Sequence, residues 1–389
     1  MKKPLVYSLV LLAVGLLVTP RAGQKPVVSF GVIADVQYRD GDPAGTRFYR
    51  DSAAKLEEAV ARLNAARPDF AIQLGDLIDG RFASYDTILP IYDRLVMPRY
   101  HVLGNHDWSV EPEKLLEVLG RLGLDRLGDG RGYYEFRRAG WRFVVLNGND
   151  LSVLAHPAGT PAFVASERLV EDLRKAGAAN AERWNGGLGP AQLAWLERTL
   201  VAAEKSREHV IVFCHFPVFP PGATTLWNDR EVIEILEGHP AVVAYFCGHK
   251  HEGDYALKGG IHYVNVRGMV EGKETAYALV EILADSLRIT GFGREQARTL
   301  AVRRDLFAQS ASGPFYCPGD RKVYIDQADV TAGLNAAAAI GDDRIQRMSR
   351  GRVSPESFTR GSSAQRVEWF KRGLSSGNID ACDTFGGSR

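Results

Sequence analysis

Apolar residues fall in short continuous runs along the first third of the chain, and each run stops at a polar cluster. Val27 to Ala34 predicts a buried strand ending at Asp35-Val36-Gln37. Arg47 to Ala66 has helical spacing, with Leu56, Ala59, Val60 and Leu63 on one face, and Pro68 stops it. Phe70 to Leu74 predicts a second strand, ending at Gly75-Asp76. A short helical stretch from Thr87 to Leu95 leads to a third strand, which runs through Tyr100 to Leu103 into Gly104-Asn105-His106-Asp107. Strand and helix in alternation imply parallel pairing with right-handed crossovers. Ligands of such sheets bind beyond the carboxyl ends of the strands, the side on which every polar cluster falls.

The middle of the chain has a different pattern. Gly132 to Phe136 and Trp141 to Leu146 flank the turn Arg137 to Gly140 and predict an antiparallel hairpin. Residues 156–188 are rich in alanine, glycine and charge, with one helix expected from Val164 to Lys175, and are expected to form an insertion reaching over the site. Pro190 to Ala203 opens on proline at a first-turn position and carries Leu193, Leu196 and Leu200, so it predicts a helix. The strand His209 to Cys214 delivers His215-Phe216-Pro217, and Asn228 is expected to cap a helix through Leu236. The strand Ala241 to Cys247 delivers Gly248-His249-Lys250-His251. Tyr255 to Leu257, His262 to Val266, Ala276 to Ile282 and Leu287 to Ile289 are expected as closing antiparallel strands.

Length and charge narrow the class. A chain of 389 residues can bury a large core, one sizeable domain with something smaller attached. A net charge of +1, with no basic stripe of interleaved aromatics, leaves no footprint for nucleic acid. Lys2 and Lys3 precede the apolar run Leu5 to Val18, and Thr19, Pro20, Ala22 and Gly23 follow. That is the layout of an export signal over residues 1–23, with an apolar run short for a membrane span. The expectation is a periplasmic or secreted protein with no stable span once the signal is removed. Arg21 spoils the cleavage site, which leaves an uncleaved signal-anchor as the alternative. Cys214 and Cys247 are expected as small buried hydrophobes. Cys317 and Cys382 lie in the polar tail, where an oxidising compartment would allow them to pair. Nothing in the sequence bears on oligomeric state.

The polar clusters carry the chemistry. Any one of them is more often a turn or a cap than a ligand set. Five in fixed order, each closing an apolar run, point jointly to metal. A pair of divalent ions clamping the attacking and leaving oxygens of a phosphate needs about seven ligands, one carboxylate being shared. Asp35 and Asp76 supply charge, Gln37 and Asn105 amide oxygens, and His215, His249 and His251 imidazoles. His249 and His251 lie two apart, so on an extended segment both point to the same side. His101, His156, His209, His239 and His262 lack this setting and are expected as surface or core histidines.

Asp35-x-Gln37, Gly75-Asp76, Gly104-Asn105-His106-Asp107, His215 and Gly248-His249-x-His251 together resemble the motif set of the calcineurin-like metallophosphoesterases, over residues 28 to about 270. Most members have histidine where this chain has Gln37. That departure, with Gly45-Thr46-Arg47, Tyr49-Arg50, Trp184-Asn185-Gly186-Gly187 and Leu226-Trp227-Asn228, resembles one branch, the manganese-dependent ADP-ribose/CDP-alcohol diphosphatases. The resemblance implies an α/β fold, a four-layer α/β/β/α sandwich over residues 24–304, around a dimetal centre. It implies Asp76 between the ions, with Asp35, Gln37 and His251 on one and Asn105, His215 and His249 on the other. An amide oxygen in place of imidazole hardens the first site, which favours Mn²⁺ or Mg²⁺ over Zn²⁺, with Co²⁺ and Fe as further candidates. His106 is expected to contact the phosphoryl oxygens or protonate the leaving group, and Asp107 to orient its ring. Arg47 and Arg50 are candidates for a phosphate. Trp184-Asn185 and Trp227-Asn228 are candidates to frame a nucleoside, packing being the equal alternative for both indoles. The implied activity is hydrolysis of the diphosphate bond in a small nucleotide-diphosphate substrate, giving a nucleoside monophosphate and a phosphorylated partner. The alternatives are a broader phosphodiesterase or phosphomonoesterase on the same centre, and a binding protein whose metal site has decayed.

From Asp305 the composition turns polar and rich in glycine and serine. Gly313-Pro314-Phe315-Tyr316-Cys317-Pro318, Gly333-Leu334-Asn335-Ala336 and Gly361-Ser362-Ser363-Ala364-Gln365-Arg366 resemble pieces of the neutral zinc metallopeptidases. The zinc-binding H-E-x-x-H helix of that family has no counterpart, because Tyr324-Ile325-Asp326 runs directly into Gln327-Ala328-Asp329. Residues 305–389 are therefore expected as a small irregular extension without peptidase activity, helical from Val330 to Arg347 and from Ser363 to Leu374. Deleting residues 305–389 is expected to leave hydrolysis intact in a steady-state assay, and a truncated chain without activity would contradict that.

Overall fold

A computed structural model describes residues 25–302 and, beyond them, only short pieces. The chain divides into two compact units, Met1–Arg304 and Asp305–Arg389. The expected export signal, the expected helix Val330 to Arg347 and the pairing of Cys317 with Cys382 lie outside the described residues. In the second unit, Phe315–Cys317 pairs antiparallel with Lys322–Tyr324. Helical residues at 363–365, 367–368 and 371 fall where a helix is expected.

The first unit opens with β1 (Val28–Ile33), α1 (Ser52–Ala66), β2 (Phe70–Gln73), α2 (Ser84–Tyr92) and β3 (Arg99–His101). The three strands pair in parallel, Gly31 opposite Ala71 and Ile72 opposite Tyr100. Both helices start away from the expected residues, α1 five later and α2 three earlier. Side-chain spacing locates an apolar face better than it locates a terminus. A one-turn helix, α3 (Val118–Arg121), precedes the hairpin of β4 (Tyr134–Arg138) and β5 (Trp141–Val145).

Next come α4 (Pro161–Lys175), α5 (Pro190–Lys205), β6 (His209–Phe213), α6 (Asp229–Glu237) and β7 (Val242–Cys247). The strands β8 (Asp254–Lys258), β9 (Ile261–Asn265), β10 (Ala276–Ile282), β11 (Ser286–Gly293) and β12 (Arg298–Ala301) complete the unit. One six-stranded sheet has the order β12-β11-β10-β1-β2-β3, and the other β4-β5-β6-β7-β9-β8. The expectation of closing antiparallel strands holds for β8, β10 and β11, β12 extends the set beyond it, and β9 meets it on one edge only. That strand runs parallel to β7 and turns its other edge to β8, so the second sheet keeps a parallel centre from β5 to β9.

Alternation along β1 shows how the layers stack. Phe30 faces the second sheet, stacked on Phe70 at 4.9 Å between ring centroids and meeting Phe213 edge-on at 5.7 Å. Its neighbour Gly31 faces α1, so closely that a Cβ there would come within 2.7 Å of Leu63. Phe30, Phe70, Phe143, Phe213 and Phe246 are all fully buried and form the seam between the sheets. The aligned strands of both sheets therefore present their carboxyl ends to one edge of the sandwich.

The insertion has its own small core. Thr160 caps α4 by accepting from Phe163 N–H, and Pro161 occupies the first turn, so the helix begins one turn before its periodic residues. Val153, Val170 and Trp227 pack there with Leu151, Leu154, Phe163, Leu169 and Leu173. No helix among the described residues is long and apolar enough to cross a membrane.

Truncating Phe30 to alanine removes a ring from the middle of the seam, and the cost is expected at about 3–5 kcal/mol. Denaturant unfolding of the variant beside the parent chain measures it.

Candidate dinuclear metal centre

The site lies where the strands of both sheets end. Beyond β1 the backbone of Asp35 to Tyr38 runs beside residues 75–79, with Gln37 N–H donating to Asp76 O at 2.8 Å and Tyr38 N–H to Leu77 O at 3.1 Å. That pairing sets Gln37 next to Asp76. Asp35, Gln37, Asp76 and His249 have φ of 50°, 44°, 56° and 68°, a left-handed conformation uncommon outside glycine. Each such residue stores of order 1–3 kcal/mol, and four together mark a functional site. Two glycines of the motifs are required by close approach. A Cβ on Gly104 would lie 2.0 Å from Asp76 Oδ1, and one on Gly248 would lie 2.6 Å from Asp35 Oδ2.

All seven expected ligands converge, in two groups that meet at Asp76. His215 Nε2 lies 3.3 Å from Asp76 Oδ2, 3.1 Å from Asn105 Oδ1 and 3.0 Å from His249 Nδ1. The ligand atoms of Asp76, His215 and His249 all fall within 4.8 Å of one another. On the other side, the Gln37 amide lies 3.1 Å from Asp76 Oδ2 and 3.2 Å from His251 Nε2. His251 Nε2 is in turn 3.4 Å from Asp35 Oδ1.

Three observations fit this set to a pair of divalent cations. Each imidazole gives one nitrogen to an acceptor outside the centre: His215 Nδ1–H to Leu74 O (2.9 Å), His249 Nε2–H to Asn185 Oδ1 (3.1 Å) and His251 Nδ1–H to Glu271 Oε1 (2.7 Å). The other nitrogen of each ring faces inward, the arrangement of metal-ligating histidines. Next, Gln37 Oε1 is buried with no hydrogen-bond partner. A half-turn of the amide would aim that oxygen at Asp76 and His251, where a cation between them would compensate it. Lastly, Asp35 and Asp76 are fully buried carboxylates, and no lysine or arginine among the described residues pairs with either. Buried charge of that kind requires compensation.

Protonation follows the same geometry. Burial alone would raise the Asp76 pKa, but His215 and His106 hold it far below the usual carboxylate range. Burial and the neighbouring His215 push His249 well below its ordinary value, which leaves it neutral and available as a ligand.

The acid-base residues differ from expectation in one respect. His106 lines the pocket with Nδ1 paired to Asp79 Oδ1 at 2.8 Å. Asp107 does not orient that ring. It is fully buried and accepts from the N–H groups of Asp76, Leu77 and Gly104 and from the Tyr85 hydroxyl, all within 3.0 Å. It holds two ligand loops together, and Asp79 does the work assigned to it. The spacing Gly75-Asp76-x-x-Asp79 was visible in the sequence, but only the fold shows which carboxylate reaches the ring.

The candidate substrate residues divide. Arg47 and Trp184 line the cavity of about 370 Å³ above the centre, with Leu154, Thr224 and Ser109. Arg47 Nε is 3.6 Å from Glu271, on the His251 side, and the half-exposed Trp184 ring lies 5.4 Å from His249. Arg50 is instead tied to Asp40 and Asp42 at the surface. Trp227 is buried with its N–H donated to Glu182 O, so packing is its role. Asn228 gives no side-chain cap to α6; its amide exchanges hydrogen bonds with the backbone of Leu188. Asn185 lies behind His249, anchored by its Nδ2 to Asn180 O and Ala223 O. Leu154 and Thr224 carry no motif, and no sequence signal marked them.

Two mixed sheets flanked by helices, with a pair of candidate ligand groups sharing one aspartate, define a class of hydrolase. The profile of the calcineurin-like phosphoesterases matches residues 28–253, and the chain belongs to that family. It is a metal-dependent phosphoester hydrolase. Among curated relatives, a manganese-dependent ADP-ribose/CDP-alcohol diphosphatase of Xenopus tropicalis is 30% identical, over 72% of this chain and 96% of its own length. The protein of the same name from Arabidopsis thaliana is 32% identical, over 71% of this chain and 97% of its own. A crystal structure of a dimetal phosphatase from Danio rerio superposes with a TM-score of 0.65 at 28% identity, covering 72% of this chain and all of the other. Residues 304–328 and 326–385 match the profile of a putative neutral zinc metallopeptidase.

The two aspartates are expected to separate experimentally. Asp107→Asn turns an acceptor into a donor against backbone N–H groups, at about 1.5–3 kcal/mol for each hydrogen bond lost, and lowers the melting temperature of the metal-free protein. Asp79→Asn is expected to lower kcat while metal content and melting temperature stay at parent values. Metal analysis, thermal melts and kinetics on both variants check the contrast.

Proposed function

We propose that the protein hydrolyses the diphosphate bond of small nucleoside-diphosphate compounds, of the ADP-ribose and CDP-alcohol type, using two Mn²⁺ ions. The observation that carries the reading is the polarity of the cavity. A guanidinium stands at the Asp35/Gln37/His251 end and an exposed indole at the Asn105/His215/His249 end, with the ligand set between them. A substrate with an anionic centre and an aromatic base fits that polarity better than a simple phosphomonoester does. The names of the relatives support the same substrate class and metal.

When bound, the ions would polarise the phosphoryl oxygens and make water nucleophilic at neutral pH. Asp35, Gln37 and His251 would hold one ion, Asn105, His215 and His249 the other, and Asp76 both. The amide oxygen of Gln37 makes the first site hard, which favours Mn²⁺. Arg47 binds the second phosphate, and Trp184 with Leu154 and Thr224 receives the base. His106 is held at Nδ1 by Asp79. Burial alone would lower its pKa, but Asp76 and Asp79 raise it, so the ring can carry a proton to the leaving oxygen. Lys2, Lys3 and the apolar run after them support export, and with it a role in scavenging nucleotides outside the cytoplasm.

The test is a panel of CDP-choline, ADP-ribose, a cyclic nucleotide and an aryl phosphate, assayed with Mn²⁺, Mg²⁺ and Co²⁺. The two diphosphates are expected to lead with Mn²⁺. Equal or better turnover of the aryl phosphate overturns the reading in favour of a general phosphatase. Asp76→Ala is expected to abolish activity. Arg47→Ala is expected to raise KM for the diphosphates about 10–100-fold, the worth of one charge-assisted hydrogen bond.

A further inference from the structure

The segment Arg267 to Gly272 has no place in the motif set, yet it is strapped against the metal centre from several directions. Met269 N–H donates to Ala34 O and Val270 N–H to Asp35 O, both at 2.9 Å, so the strap pairs with the backbone that carries the first ligand. Phe48 N–H donates to Val270 O at 2.9 Å and Gly272 N–H to Thr46 O at 2.8 Å, which joins it to the Arg47 loop. The buried ammonium of Lys55 reaches three of its carbonyls, Met269 O at 3.0 Å, Val270 O at 3.3 Å and Gly272 O at 2.6 Å. A Cβ on Gly268 would lie 2.9 Å from the His251 ring and 3.2 Å from Asp35 Cβ. The strap is fixed on both faces, and the residue it aims at the centre is Glu271.

Glu271 Oε1 accepts from His251 Nδ1 at 2.7 Å, and Arg47 Nε approaches the same oxygen at 3.6 Å. The other two imidazoles lean on neutral acceptors, the Leu74 carbonyl for His215 and the Asn185 amide for His249. The halves of the centre therefore differ. The His251 half has one imidazole and the amide of Gln37, against two imidazoles and the amide of Asn105 in the other half, and it alone has a carboxylate behind its histidine. An ionised acceptor fixes the ring and makes the facing nitrogen more basic, and loss of such a partner typically costs 10–100-fold in metal affinity.

We infer that Glu271 is a positioning residue that gives the Asp35/Gln37/His251 half its affinity for a divalent cation, offsetting the neutral amide at Gln37. The inference rests on the dinuclear reading of the site and goes beyond it, because it assigns the two halves different dependence on one residue outside the ligand set.

The experiment is a titration of chelator-stripped protein with Mn²⁺, free Mn²⁺ being read by its paramagnetic resonance signal, on the parent chain and on Glu271→Gln, Glu271→Ala and Arg47→Ala. The parent is expected to bind two ions. Both Glu271 variants are expected to bind one of them about 10–100-fold more weakly and to keep the other. Arg47→Ala, which removes the second partner of the same oxygen, is expected to keep both. Glu271→Gln is close to isosteric, so it carries the test if the alanine variant does not fold. Variants that bind both ions like the parent, or that weaken both steps alike, overturn the inference while leaving the dinuclear reading in place. A parent chain that binds no pair of ions overturns both.

Discussion

The structure depends on one buried carboxylate. Asp76 is fully inaccessible, sits at the end of β2 with a left-handed backbone, and is the residue at which the two ligand groups touch. A lone charge in that position is costly, and its surroundings are arranged to keep it ionised. His106 N–H donates to it at 2.7 Å, and His215 and the Gln37 amide lie within 3.3 Å. Gly104 is a glycine because Asp76 occupies the space a side chain would need. Asp107 locks the Gly75-Asp76 turn to the Gly104 turn through three backbone N–H groups. The motif of the third strand is thus as much a clamp on Asp76 as a source of ligands.

This constraint explains why the sandwich needs both sheets. Asp35, Asp76 and Asn105 come from the ends of β1, β2 and β3, whereas His215 and His249 come from the ends of β6 and β7. Neither sheet holds a complete ligand group of its own. The aromatic seam from Phe30 to Phe246 fixes the spacing of the sheets, and with it the distance between the carboxylates of one and the imidazoles of the other. Packing energy and site geometry are linked through those rings.

Much of this was legible from the chain alone, for a definable reason. The candidate ligands follow apolar runs at strand ends, so Asp35, Gln37, Asp76, Asn105, His215, His249 and His251 each carry a local signature. What supports them carries no signature of that role. Glu271 lies twenty residues from His251 in an ordinary polar loop, and Asn185 and Leu74 reach their histidines from remote segments. Trp184 and Trp227 sit in similar sequence surroundings, but one lines the cavity and the other fills the core beneath the insertion, a difference that belongs to tertiary packing. Asp107 follows His106 directly, yet the turn sends its carboxylate inward and leaves the ring to Asp79. The parallel course of β9 was likewise invisible, because edge order is decided by the whole sheet rather than by the strand.

On the dinuclear reading, Asp76 joins two cation sites of different composition. Anomalous diffraction at the manganese edge from crystals grown with Mn²⁺ tests it most directly. Two peaks are expected to flank the Asp76 carboxylate, one against Asp35, Gln37 and His251 and the other against Asn105, His215 and His249. A single peak, or a pair that does not share Asp76, would contradict it.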